Sequence, residues 1–520
     1  MDTSRKIIRQ FIVAFAAALM IAGSVWAEEP QNDNIRQLTK PQSTVNIGAG
    51  YLFNNNARFG QYSGLRDEGA YGIFNVDFVK RDDNTGTWYK LMGRNLGFES
   101  RDIRLEHNRQ GDWGYFLEYN QIPRFEPFTV NSAVRGIGSA YLDVPTSSTA
   151  GNPIHLKTER QAISFGLNKF FPGNFELHIH FRNEEKDGTR VFGRGNRLGA
   201  PGPNAVGSYE FTPEPINSTM RTFGSTLDYN GKRLQLSGGY YGTMYSNRNT
   251  ALNITGGSSV GGIYASNLFT PIALPPDNQS HQTFLSGGYT FTPTTRATFK
   301  AAYTRATQTT TFFPSQNLAP GIGNNLGGRI DTTLLQAALN ARPLPKLALL
   351  ANLRFEDRDD KTPVFLYNPM AAQIDLNGNT WNGFNNPRSF RTLAGKLETS
   401  YGLPLDFRLI GGLEYDHRDR TGSATTTSHR NRTDEISYRA ELRRSISETI
   451  TGAISYIHSD RSGSNFLTNV TGNGDPFFNL IAPFNLSDRS RNKARLSVNW
   501  QPTEQLSLQF IIDESLDNYG

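Results

Sequence analysis

The stretch FELHIHFR, residues 175–182, alternates strictly between apolar and polar side chains. Because successive side chains of a β-strand point to opposite faces, this pattern predicts a strand with one apolar face and one polar face. The same period of two recurs in residues 45–53, 113–119, 347–356 and 435–443. Helical periodicity is almost absent from residue 43 onwards, so the sequence predicts an all-β protein.

Tight turn signals separate these runs at intervals of roughly 45 to 60 residues. They occur at Pro172-Gly173, Asn230-Gly231, Pro293-Thr294, 343–345, Pro404, 445–448 and 502–503. Between successive turns lie two strands and one longer segment rich in Gly, Asn, Ser and Pro. The longer segments are 193–215, 247–278, 308–328 and 362–387. Short turns at one end and long loops at the other are typical of outer-membrane barrels.

We therefore predict a large antiparallel transmembrane β-barrel of the bacterial outer membrane, with about 19 to 20 strands between residues 43 and 516. A β-propeller also repeats at 40 to 50 residues, but each of its blades carries four short strands. The two strands per repeat found here are long enough to cross a bilayer when tilted. A mean hydropathy of -0.50 agrees with a barrel, because half of each strand would face a polar lumen.

The two ends of the chain carry separate predictions. Arg5, Lys6 and Arg9, an apolar run over 11–25 and the small residue Ala27 predict a signal peptide over residues 1–27. Residues 28–42 are then a periplasmic N-terminal segment and residues 43–520 the barrel. Single-chain barrels usually have an even number of strands and end on an aromatic residue. Because Gly520 is the last residue, we expect the closing strands of the barrel to be missing.

Composition excludes several functions. The chain has no cysteine, which excludes disulfides, thiolate metal sites and covalent attachment of c-type haem. A net charge of +6 over 520 residues, without a dense basic block, gives no support for nucleic-acid binding. No phosphate-binding glycine loop, nucleophile elbow or H-E-x-x-H motif is present. We therefore expect no enzyme activity, and no catalytic, cofactor-binding or metal-binding residues.

Charged side chains of both signs fall at the polar positions of the predicted strands. A wall of mixed sign can form pairs across strands and can hydrogen-bond a protein surface, whereas an ion-selective pore more often concentrates one sign. A merely solvated lumen remains the alternative, and His178 and His180 fit a polar wall better than a metal or haem site. The candidates for partner contact are Arg104, Glu106, Glu118, Glu176, His178, His180, Arg182, Arg354, Glu356, Arg408, Glu414, Asp416, Glu435, Arg439, Glu441 and Arg443.

Aromatic residues near strand ends predict the interfacial girdles of a barrel. The candidates are Trp88, Tyr89, Trp113, Tyr119, Tyr229, Tyr240, Tyr289, Phe291, Tyr303, Tyr401, Tyr415, Tyr456 and Trp500.

A series of short motifs extends from about residue 44 to the end of the chain. They are FGQYSGL at 59–65, NLGFESR at 95–101, YNQIPR at 119–124, EKDGTR at 185–190, PEPI at 213–216, LPPDNQ at 274–279, DTTL at 331–334, RFEDRD at 354–359 and TDE at 433–435. In this order and spacing they resemble the MtrB/PioB family of outer-membrane barrels associated with multihaem cytochromes.

The resemblance implies a function in extracellular electron transfer. Barrels of this family are sheaths that hold a periplasmic multihaem (decahaem) c-type cytochrome in the outer membrane and insulate its haems from lipid. The haem would be carried by that partner and none by this chain, and a second, extracellular multihaem cytochrome is a further partner that the resemblance leaves open. Some members have a C-x-x-C near the mature N-terminus, which this chain lacks, and members are usually longer. A water-filled porin or nutrient-uptake channel is the alternative function.

Overall fold

The computed structural model describes residues 42–145, 151–196, 208–256, 270–312, 323–368, 383–385, 387–422, 430–466 and 484–520. The predicted signal peptide, and all of the predicted periplasmic segment except its last residue, lie outside these ranges. The described residues contain 28 strands. No helix among them is long and apolar enough to cross a membrane.

The strands, in chain order, are β1 (Thr44–Leu52), β2 (Gly69–Asp82), β3 (Thr87–Arg94), β4 (Arg101–Arg109), β5 (Trp113–Phe125), β6 (Val130–Ser132), β7 (Tyr141–Val144), β8 (Asn152–Ile154), β9 (Lys157–Phe171), β10 (Phe175–Arg190), β11 (Gly193–Asn196), β12 (Ser208–Phe211), β13 (Glu214–Asn230), β14 (Leu234–Asn247), β15 (Ala251–Gly256), β16 (Thr270–Ala273), β17 (Asn278–Thr292), β18 (Thr295–Gln308), β19 (Gly328–Leu344), β20 (Leu347–Asp360), β21 (Leu366–Asn368), β22 (Gly383–Phe384), β23 (Arg388–Gly402), β24 (Phe407–Gly422), β25 (Arg432–Ser445), β26 (Ile450–Gly463), β27 (Arg489–Thr503) and β28 (Leu506–Tyr519).

Nineteen of these strands form one sheet. It contains β1 to β5, β9, β10, β13, β14, β17 to β20 and β23 to β28, and each strand pairs antiparallel with the next member in chain order. The predicted antiparallel all-β fold and its strand number are confirmed. In such a meander β1 and β28 run in the same direction, and the described residues show no pairing between these two strands.

Short turns and long connections alternate along the sheet, as the sequence predicted. The turn between β9 and β10 shows the chemistry: Gly173 (φ 86°) and Asn174 (φ 67°) both adopt the left-handed conformation that these two residue types tolerate best. At the opposite end, residues 191–213 connect β10 to β13 and residues 248–277 connect β14 to β17. Neighbouring strands are therefore joined by tight turns at one end of the sheet, while the other end carries the longer connections.

The two faces of the sheet differ sharply in polarity. Directly opposed residues of an antiparallel pair point to the same face, so the register assigns every side chain to a face. One face presents large apolar side chains to the surroundings. Examples that are 40 to 53 % exposed are Leu285, Leu335, Leu353, Leu397 and Leu442. The opposite face carries most of the charged residues. A water-soluble protein would instead bury the apolar face of its sheet and expose the charged face to solvent.

A small hydrophobic core lies among the long connections. In it β7 pairs parallel with β15, which pairs with β16. Leu142, Val144, Leu252, Ile254 and Leu274 are buried together, and Leu252 and Ile254 have no exposed surface. Connections that are far apart in sequence are thus held together by apolar burial rather than left as independent loops.

Replacing Ile254 by valine is expected to destabilise this loop core by about 1 kcal/mol, the usual cost of deleting one buried methylene group. Hydrogen exchange of the Tyr141–Val144 amides would report the loss as faster opening. The same substitution at Ile47, which is 80 % exposed, should leave exchange unchanged. Equal effects at both positions would contradict the burial of Ile254.

Candidate functional site

The predicted lumen residues all lie on the polar face of the sheet. Arg104 pairs directly with Glu118, which pairs with Ser164 and then Arg182 across β5, β9 and β10. The row through His180 continues by way of Gly224, Tyr241, Gln282, Thr304 and Thr332 to Arg358. The same register carries the face to the rest of the set: Glu106, Glu176, His178, Arg354, Glu356, Arg408, Glu414, Asp416, Glu435, Arg439, Glu441 and Arg443.

On β4 and β5 a single guanidinium joins two carboxylates. Arg104 Nε donates to Glu106 Oε1 at 2.7 Å and Nη1 donates to Glu118 Oε2 at 2.7 Å. The guanidinium carbon of Arg104 also lies 4.0 Å from the centroid of the Phe116 ring, a cation–π arrangement. Because three neighbours fix this side chain, its position on the polar face is set before any partner binds.

The two predicted histidines do not converge on one point. His178 Nε2 lies 3.1 Å from Glu176 Oε1 and 3.5 Å from Asp228 Oδ2, whereas the His180 ring packs near Phe116 at 6.3 Å between centroids. Within the part of the chain that the structure describes, no group of three or more His, Asp or Glu side chains could hold a metal ion. By the register of β9 and β10, both histidines lie on the polar face of the sheet.

A denser network occupies β23 to β25. Glu441 is only 5 % exposed and lies between Arg439, with which it forms a short ion pair, and Arg443, whose Nη2 is 2.8 Å from Glu441 Oε1. Arg439 also reaches Glu398 at 3.6 Å, and Lys396 bridges to Glu414 at 2.9 Å. Arg439 and Lys396 are each shared between two carboxylates on different strands, so the wall is cross-linked from strand to strand.

Cations outnumber carboxylates on the polar face of β24 to β27. We call this surface the basic wall, and its members are Arg408, Arg418, Arg420, Arg439, Arg443, Arg461, Arg489, Arg491, Lys493 and Arg495. On β27 the segment RSRNKAR, residues 489–495, places four cations at alternate positions. Arg491 is held by Asp517 at 2.6 Å, and Arg495 by Asp513 at 3.0 Å. The sequence analysis did not select these four residues, although their alternation was the signal that could have found them.

A cavity of about 790 Å³ opens on the polar face of β18 to β26. Its polar lining includes Lys300, Arg354, Lys396, Asp416 and Arg420. The site can therefore exchange hydrogen bonds and ion pairs with a polar surface, while the middle of the opposite face of the same strands offers apolar side chains such as Leu335, Leu353 and Leu397.

The prediction that Trp88 belongs to an aromatic girdle is wrong. Trp88 pairs with Asn108 on the polar face, where the guanidinium of Arg81 lies 5.1 Å from its ring. Its neighbour Tyr89 points to the apolar face and stacks on His107 at 4.3 Å. Two adjacent aromatic residues cannot both face the same side of a strand, so one of the pair had to be misassigned.

The sequence matches one protein-family model over most of its length. The family model described as "Putative outer membrane beta-barrel porin, MtrB/PioB" matches residues 51–520. The chain belongs to the MtrB/PioB family. The predicted family, the transmembrane β-barrel fold and the outer-membrane location are thereby confirmed. In an MtrB/PioB barrel the apolar face of the sheet must contact lipid, and the polar face therefore lines the lumen.

Individual relatives are distant from this MtrB/PioB-family chain. The outer membrane protein MtrB of Shewanella baltica (strain OS185) is 22 % identical over 503 residues, which cover 92 % of this chain and 68 % of the relative. Among solved structures, the copper transporter OprC has a TM-score of 0.44 at 13 % identity, covering 85 % of this chain and 65 % of its own. The receptor FauA of Bordetella pertussis has a TM-score of 0.38 at 9 % identity, covering 91 % and 74 %. The chain thus spans about two thirds of the length of MtrB and of OprC.

Proposed function

We propose that this outer-membrane barrel is a sheath and scaffold that houses a periplasmic multihaem c-type cytochrome for electron transfer across the membrane. The observation that carries the proposal is the lumen wall, where charges of both signs are paired across strands and cations are in excess on β24 to β27. The haem belongs to the partner, since a chain without cysteine cannot attach c-type haem covalently.

The lumen wall suits a protein occupant on physical grounds. Ion pairs such as Arg104–Glu118 and Lys396–Glu414 hold long side chains in fixed positions, so fewer rotamers are lost when a partner binds. Their remaining donors and acceptors can satisfy polar groups on a protein surface. A cation excess favours an acidic partner, and complementary charge increases the rate of association as well as its specificity.

The remaining parts of the chain complete the proposal. Residues 1–27 act as the export signal and residues 28–42 as a periplasmic segment, and residues 43–520 form the barrel. The chain has no catalytic role, in keeping with the outer-membrane porin family that its sequence matches. Outer-membrane lipid surrounds it, nucleic acid is not a partner, and an extracellular multihaem cytochrome is a further candidate partner.

A water-filled porin or nutrient-uptake channel is the second candidate function. The cavity of about 790 Å³ on the polar face favours it, because such a space would conduct water and solutes if no protein occupied it. The two functions share one fold and differ in what fills the lumen.

Proteoliposomes with a trapped redox dye distinguish the two functions. We expect an external reductant to bleach the dye only when the full chain and the host's periplasmic multihaem cytochrome are both present. Vesicles with the chain alone or the cytochrome alone are the controls. Two results would contradict the sheath function. One is bleaching of the dye by the cytochrome without the chain, and the other is solute leakage that continues at the same rate when the cytochrome is present.

A further inference from the structure

Three cations surround one carboxylate on the lipid-facing side of the barrel, away from the lumen. Asp331 is 7 % exposed, and its oxygens lie 3.0 Å from Arg305 Nε, 2.6 Å from Arg329 Nη2 and 3.1 Å from Lys361 Nζ. The cation side chains themselves are 40 to 46 % exposed. We call Arg305, Arg329 and Lys361 the outer cation cluster.

The outer cation cluster lies at the edge of the apolar band. On β18 the lipid-facing positions are Phe299, Ala301, Tyr303 and Arg305 in succession, so the surface changes from apolar to charged at Tyr303. Tyr303 accepts a hydrogen bond from Arg305 Nη2 at 2.8 Å. Tyrosine at such a boundary marks the interface between hydrocarbon and headgroups. The cluster therefore lies in the headgroup layer.

The lengths of the neighbouring connections indicate which membrane leaflet meets the outer cation cluster. Arg305, Arg329 and Lys361 are next to the long connections 309–327 and 361–387, whereas the tight turns 293–294 and 345–346 lie at the other end of the same strands. Long loops of outer-membrane barrels are extracellular and short turns periplasmic. The headgroups that meet the cluster are those of the outer leaflet.

The cluster keeps an excess of positive charge after its internal pairs are counted. Three cations face Asp331 and, at 3.4 Å from Lys361, Asp359. The hydrogen bond to Asp331 also raises the pKa of Lys361, which stays charged at neutral pH. Two guanidinium groups and an ammonium group side by side match the oxygens of a phosphate group, which arginine can bind with two parallel hydrogen bonds. A metal cation would be repelled here.

We propose that Arg305, Arg329 and Lys361 bind a phosphate group of an outer-leaflet lipid. The bound lipid would cover the outer end of β18 to β20 and fix the depth of the barrel in the membrane at this point. The proposal is independent of what occupies the lumen.

Native mass spectrometry of the purified full chain in detergent, with added lipid, tests this proposal by measuring lipid affinity. The probes are diphosphoryl lipid A and the same lipid without its phosphates. The variant R329Q/D331N/K361Q removes two cations together with the carboxylate that they neutralise, so that no buried charge is left unpaired. Its affinity for the diphosphoryl lipid should fall about fivefold or more, with no change for the dephosphorylated lipid.

Two controls keep the result interpretable. D331N retains all three cations and should bind the diphosphoryl lipid at least as tightly as the wild type. D357N/R391Q removes an ion pair (3.1 Å) on the same face without changing the net charge, and its affinity should stay within about twofold of the wild type. Unchanged binding by the triple variant, equal losses in D357N/R391Q, or displacement of the lipid by equimolar inorganic phosphate would each overturn the proposal.

Discussion

Replacing Leu353 by arginine is expected to destabilise the folded barrel by about 2 to 4 kcal/mol, the cost of placing arginine near the bilayer midplane on a lipid-facing strand. Leu353 is 53 % exposed, lies at the middle of β20, and is flanked across the sheet by Ala337 and Gly395. The adjacent residue Asn352 points to the lumen, where an additional arginine remains hydrated. We therefore expect N352R to be close to neutral.

The free energy of unfolding of the chain in lipid vesicles, measured by denaturant titration, gives both values. Both variants introduce one arginine at adjacent positions of the same strand but on opposite faces, so each serves as the control for the other. Equal destabilisation by both substitutions, or a larger effect of N352R, would contradict the assignment of the two faces.

Neutralising two cations of the basic wall is expected to slow capture of the cytochrome about tenfold at low ionic strength. Lys493 and Arg495 both face Asp513, at 3.5 and 3.0 Å, and Asp513 is 38 % exposed and stays hydrated when its partners are removed. The variant K493Q/R495Q therefore keeps its fold while losing two positive charges from the lumen. The difference from the wild type should shrink as salt screens the interaction.

The matched control is R391Q/R432Q, which removes two arginines from the lipid-facing side of the barrel. Both arginines pair with carboxylates, Arg391 with Asp357 and Arg432 with Asp434, so the change in net charge is the same. Association measured by the haem absorbance of the captured cytochrome should be unaffected in this control. A loss as large as that of K493Q/R495Q would show that net charge, and not the lumen wall, governs capture.

Much of the lumen wall could be predicted because the direction of a side chain in a strand depends only on parity. Glu176, His178, His180 and Arg182 share a face whatever their neighbours are. Pairs two residues apart on one strand, such as Glu441 with Arg443, follow from the same rule. The contact between Glu435 and Arg489 at 2.6 Å does not, because it spans 54 residues and requires the register of β25 to β27.

The loop core could not be predicted for a different reason. β7 has four residues and β15 has six, and they pair in parallel although they belong to connections more than 100 residues apart. Segments this short, within stretches rich in Gly, Asn and Pro, carry no periodic signal of their own. Their burial depends on contacts between loops, which appear only when the barrel brings the loop ends together.

The most direct test of the sheath is an affinity purification of the tagged chain from detergent-solubilised outer membranes of its native host, followed by haem staining and a visible spectrum. The account predicts a stoichiometric c-type haem band from a separate polypeptide, since this chain has no cysteine to hold haem covalently. A folded but haem-free barrel that forms ion-conducting pores in planar bilayers would contradict the account and support the porin instead.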